Sequence, residues 1–180
     1  ISRFAAVALP TLNLSGVTEG PLWDLWTQVM FAKDNEDHKR IRAVMTKEFS
    51  PRRIERLRPA LEEIAGRLLD SLPADGAFDL VQQYAIPFSS QMVCTMLGVP
   101  LADSGRTATW GFDLARAFFP FMSPERRQRA EQSAVEIRAY MDALLAERRR
   151  QPQDDVISML ASAETASVLS PAEVQALACN

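Results

Sequence analysis

The stretch SPERRQRAEQSAVEIRAYMDALLAERRR, residues 123–150, constrains the fold most. It contains no glycine, and its one proline stands at the first turn, where a missing N–H is tolerated. Val135, Ile137, Met141, Leu144 and Leu145 form an apolar face at helical spacing. A long amphipathic helix of this kind buries its stripe against other elements. The rest of the chain supplies further helices.

Ile41, Val44, Met45 and Phe49 share one stripe of a helix expected over Asn35 to Phe49. Ser50 and Pro51 restart a helix, which Pro59 is expected to split in two. Ile54, Leu57, Leu61, Ile64 and Leu68 keep a spacing of three or four up to the turn PADG. AFDLVQQYA is the best strand candidate. IPFSSQMVCTMLGVP is almost wholly apolar, as expected of a helix buried on most sides. Residues 101–119 form another helix, ending in the aromatic loop AFFPFM. QPQDDVISMLASAE adds a short helix capped by Asp154 or Asp155. In LSPAEVQALACN, Ser170, Pro171 and Glu173 carry a capping-box signature. Residues 4–27 read as a long loop with one short helix around PLWDLWTQVM. The fold class is mainly α with one short strand, in a single domain over residues 1–180. The last helix lacks a C-cap glycine and the start lacks methionine, so both ends read as cuts in a longer protein.

The 180 residues suffice for one core, and 47% hydrophobic with 24% charged residues is an ordinary globular composition. A net charge of −3 gives no general attraction to nucleic acid. The arginine clusters ERRQR and ERRR are interleaved with glutamate and read as solvated helix faces. No apolar run approaches a membrane span, and no signal-peptide layout is present. Cys94 and Cys179 lie far apart in apolar surroundings, with neither zinc-ligand spacing nor a disulfide framework, so a reducing cytoplasmic setting is expected. No glycine-rich phosphate loop exists, and one histidine gives no convincing catalytic triad.

That histidine sits in DNEDHKRIR. His38 and Arg42 are four apart, so they share a helix face and both can donate to one anionic group. An arginine fork matches two oxygens of a carboxylate or phosphate. Spacing alone favours a solvated helix face, since such pairs are common on helix surfaces. Residue chemistry without further pattern therefore supports a mainly helical protein with a candidate anion site.

The order of segments resembles a bacterial soluble cytochrome P-450. The family's C-helix begins with Asp, then His-x-x-x-Arg, and continues to Phe-[Thr/Ser]-Pro-Arg; this chain has DNEDHKRIRAVMTKEFSPRR. RLRPALEEIAGRLLDSL, FDLV and a helix ending LGVP follow, then DDVISML and LSPAEVQALA, which opens the I-helix. The likeness runs from about Trp26 to the end, with five motifs in order. It implies a partial cytochrome P-450 fold, from the C-helix to the start of the I-helix. It also implies haem b in the full-length protein, with His38 and Arg42 donating to a haem propionate. Leu114, Ala117, Phe118 and Phe121 would fall at the end of the F-helix and F–G loop, as substrate contacts or as ordinary packing. The loop before Trp26 would be the B–C loop. A ferredoxin or flavoprotein would supply electrons, with Lys39, Arg40 and Lys47 as candidate contacts, and the substrate would be a small apolar organic molecule.

The departures bear on activity. The family's thiolate loop Phe-x-x-Gly-x-x-x-Cys and its Ala-Gly-x-[Asp/Glu]-Thr are both absent, and neither cysteine has the thiolate surroundings. The resemblance therefore implies a piece of a monooxygenase that is inactive alone. A non-enzymatic helical module binding a ligand or protein is the other reading.

Overall fold

In the computed structural model, which describes residues 5–179 and side chains from Pro10 onward, the 27-residue helix α7 (Pro124–Arg150) is the spine. Ser123 caps it by accepting from the Arg126 N–H, and Pro124 occupies the first turn. Ala130, Ala134, Ile137, Met141, Leu144 and Leu145 are its buried face. Val135 is 47% exposed, contrary to the sequence expectation. One residue beyond Ala134 turns the helix by about 100°, which takes Val135 off the stripe.

Eight more α-helices occur among the described residues. They are α1 (Ala5–Leu14), α2 (Pro21–Gln28), α3 (Asn35–Glu48), α4 (Pro51–Asp70), α5 (Ile86–Leu97), α6 (Ser104–Ala115), α8 (Val156–Thr165) and α9 (Pro171–Ala178). Helix α7 packs against α2, α6, α8 and α9, while α5 bridges α4 and α6. Small residues at Ala130 and Ala134 leave room for neighbours, and the core continues through Leu22, Leu25, Trp110, Leu114, Ile157, Leu160 and Val174. The α6–α7 seam is partly polar. Trp110 Nε1 donates to Glu136 (3.0 Å), and the buried Asp113 accepts from Ser133 Oγ (3.1 Å).

The seam between α5, α7 and α8 closes on a buried polar knot. Gly98 ends α5 at φ +84°, and the N–H groups of Gly98 and Val99 both donate to the Cys94 carbonyl. Arg148 on α7 donates to the Gly98 carbonyl (2.9 Å) and to Asp155 Oδ2 (2.7 Å). Asp155 in turn caps α8, its Oδ1 accepting from the Ser158 N–H (2.7 Å). Of the two aspartates offered by the sequence, Asp155 is thus the cap, and Asp154 instead pairs with Arg53 on α4 (2.6 Å).

Three further expectations are corrected. No strand occurs among the described residues, and Val81–Ala85 forms a π-helical turn leading into α5. Asp79 explains this: its Oδ1 accepts from the Val81 and Gln82 N–H groups (2.9 and 3.0 Å), which nucleates a helical start in the segment expected to be a strand. Within residues 4–27, α2 is the short helix expected around PLWDLWTQVM, while α1 replaces much of the expected loop; residue 4 itself and Asn180 lie outside the described residues, so the reading of both ends falls there too. Pro59 does not split α4. Pro59 and Glu55 are both exposed, so water can serve the Glu55 carbonyl that the proline leaves unbonded.

Candidate functional site

Helix α3 starts at the Asp34 N-cap, with Glu36 and Asp37 in its first turn, where the helix dipole favours negative charge. Its one buried residue is Ile41, with Val44 and Met45 leaning on the core. Phe49, expected on the same stripe, is exposed at the C-cap. His38 is half-buried and Arg42 exposed. Being four apart, they rise from adjacent turns of one face. Among the described residues, neither side chain has a hydrogen-bond or ion-pair partner.

Arg40, between them, behaves differently. It lies about 160–200° around the helix from both neighbours and turns to α9. Its two terminal nitrogens meet Glu173 Oε1 at 2.6 Å and Oε2 at 3.0 Å. It also donates to the Val168 carbonyl and to Asp37 (both 2.8 Å). Glu173 is held by the capping box seen in the sequence: Ser170 N–H donates to Oε2 (2.8 Å) and the Glu173 N–H to Ser170 Oγ (3.3 Å). The hydrogen bonds from Arg40 outweigh burial and pull the Glu173 carboxyl down to about 2. Arg40 is therefore engaged within the chain. Of its basic neighbours, Lys39 pairs with Glu36 (2.9 Å) and Lys47 is exposed.

The four candidates at the end of α6 are split. Leu114 and Ala117 are buried in the core. Phe118 is half-buried and meets Trp26 edge-on, ring centroids 4.3 Å apart, with Phe31 at 6.0 Å. Phe121 is 84% exposed at φ +63°. The sequence placed Trp26 near the loop before α3 but did not pair it with Phe118, since 92 positions separate them. The indole Nε1 of Trp26 is buried with no acceptor among the described residues.

Neither cysteine offers a thiolate. Burial pushes Cys179 up to about 12, with Asp142 adding to it. Burial also raises Cys94, against its contact with Thr107 (3.3 Å). No group of metal-binding side chains exists among the described residues, and no helix there is long and apolar enough to cross a membrane.

No family model matches the chain. It is 32% identical over 155 residues to the polyketide biosynthesis cytochrome P-450 PksS of Bacillus subtilis (strain 168), covering 86% of this chain and 37% of that protein. It is 33% identical over 131 residues to 6-deoxyerythronolide B hydroxylase of Saccharopolyspora erythraea, covering 73% and 31%. The crystal structure of CalO2 superposes on 99% of this chain and 44% of that one, with a TM-score of 0.90 at 28% identity. The chain belongs to the cytochrome P-450 family. It spans about a third of the length of the curated relatives it matches. Membership makes haem the cofactor of the full-length protein. It also accounts for the mainly helical fold and for the order of the five motifs. Within this cytochrome P-450, α3 carries the His-x-x-x-Arg motif, Gly98 of LGVP and Asp155 of DDVIS meet at the Arg148 knot, and α9 opens with the capping box.

Proposed function

We propose that the full-length protein is a haem-thiolate monooxygenase acting in the cytoplasm on an apolar organic substrate. In that reaction one oxygen atom of O2 enters the substrate and the other leaves as water, with two protons and with two electrons from a ferredoxin or flavoprotein. The haem supplies the oxygen chemistry. This chain, a single incomplete domain over residues 1–180, lacks the thiolate and is inactive alone.

The observation that carries the reading is the His38–Arg42 pair. Two donors stand on one face of α3 without protein acceptors among the described residues, while Arg40 between them is fully engaged elsewhere. An anionic carboxylate brought out of water requires charged or hydrogen-bonding partners. His38 and Arg42 would hold a haem propionate, and they orient the cofactor rather than react with it. Phe118 and Phe121 would contact substrate from the end of α6 and the loop beyond it, whereas Leu114 and Ala117 would support that wall from the core. The name of the relative PksS, a polyketide biosynthesis cytochrome P-450, supports a natural-product substrate of that apolar class.

The test uses the full-length protein with His38→Ala and Arg42→Ala. Each lost charge-assisted hydrogen bond is worth about 1.5–3 kcal/mol, so haem transfer to apomyoglobin is expected to quicken roughly 10- to 100-fold per variant. Unchanged transfer in both variants refutes the assignment. Incorporation of label from isotopic O2 into product, with an electron donor present, tests the reaction itself.

A further inference from the structure

Helix α3 is thinly anchored for the element that carries the pair. Of its 14 residues only Ile41 is buried. Glu48 at its end pairs with Arg53 of α4 (2.6 Å), and Arg40 reaches 128 and 133 positions ahead to Val168 and Glu173. The acceptor is itself fixed, because Glu173 is locked at the start of α9 by two capping-box hydrogen bonds. A two-pronged guanidinium–carboxylate contact defines orientation as well as distance. The side of α3 opposite His38 and Arg42 is thereby set against α9.

We infer that the Arg40–Glu173 contact is a positioning device: it fixes the rotation and height of α3 so that His38 and Arg42 present their donors together to the cofactor's carboxylate. The inference rests on the propionate reading above. Arg40 touches no cofactor in this arrangement and acts only through its neighbours on the helix. A lysine at position 40 keeps the charge but loses the fork, and with it the fixed orientation.

Four forms of the full-length protein test it: unaltered, Arg40→Gln, His38→Ala/Arg42→Ala, and the triple variant. The readout is the rate of haem transfer to apomyoglobin, with the haem absorption spectrum recorded for each. Arg40→Gln is expected to release haem on the order of tenfold faster, the equivalent of one weakened charged hydrogen bond. It is expected to add nothing once His38 and Arg42 are gone, since residues acting through one another are not additive. Arg40→Lys should fall between Arg40→Gln and the unaltered protein; it also serves if Arg40→Gln does not fold. An Arg40→Gln rate equal to the unaltered one overturns the inference, as does equal acceleration in both backgrounds. If the double variant itself releases haem at the unaltered rate, the propionate reading fails first and the inference with it.

Discussion

Replacing Asp155 by alanine should be among the most damaging single changes in this chain. The carboxylate answers Arg148 Nε at 2.7 Å and the Ser158 N–H at 2.7 Å, and the two side chains of the ion pair are only 6% and 5% exposed. Burial works against the charged guanidinium, and its hydrogen bond to Asp155 is the foremost contact that supports it. Removing the carboxylate leaves a buried cation whose remaining partners are the Gly98 carbonyl and the half-exposed Glu147. Breaking a buried pair from one side costs about 3–5 kcal/mol, and losing an N-cap about 1 kcal/mol. Glu147 stays to screen the orphaned charge, so a total of roughly 3–5 kcal/mol is expected. Urea unfolding of the full-length protein measures it. The double variant Arg148→Met/Asp155→Ala removes the stranded charge and should be more stable than Asp155→Ala alone. A loss under about 1 kcal/mol for Asp155→Ala, or a double variant as unstable as the two single losses summed, would mean that no buried charge is stranded at Arg148.

Three other outcomes are expected. Gly98→Ala should lose at least 1–2 kcal/mol in the same unfolding assay, roughly the cost of a strained backbone position: φ is +84° and the added Cβ would lie 2.1 Å from Asp155 Oδ2. Acidification should weaken the α3–α9 contact. Arg40 holds the Glu173 carboxyl at about 2, below its ordinary 4.5, so the stabilisation is complete above 4.5 and drains away as pH falls from there through 2. The contribution is at most about 3 kcal/mol, and the slope of stability against pH should flatten over that window in Glu173→Gln; an unchanged slope would count against it. Phe121→Ser should leave stability within about 0.5 kcal/mol, because the ring is 84% exposed, while substrate affinity falls; differential scanning calorimetry and a substrate-binding titration read the two effects.

The helices were legible where local chemistry sets them. The Ser170–Pro171–Glu173 cap and the stripe of α7 follow from residues a few positions apart, and both stand in the structure apart from Val135. The strand expected at AFDLVQQYA failed because one aspartate side chain, Asp79, satisfied two backbone N–H groups and turned the segment helical. Pro59 does not break α4, since its cost falls on a carbonyl that water can reach. The long-range polar contacts had no sequence signal of their own. Glu173 was visible as a capping residue but not as the partner of Arg40, 133 positions away, and Gly98, Arg148 and Asp155 meet only once α5, α7 and α8 pack. For the site, spacing placed His38 and Arg42 on one face but was silent on which basic residues were already engaged. The structure adds that Arg40 is engaged and that its two neighbours have no partner among the described residues.

A crystal structure of the full-length protein with its haem would show what His38 and Arg42 hold. One propionate is expected within about 3 Å of both the His38 imidazole and the Arg42 guanidinium, with Arg40 still paired to Glu173. Propionates held by other residues, with His38 and Arg42 left facing solvent, would contradict it.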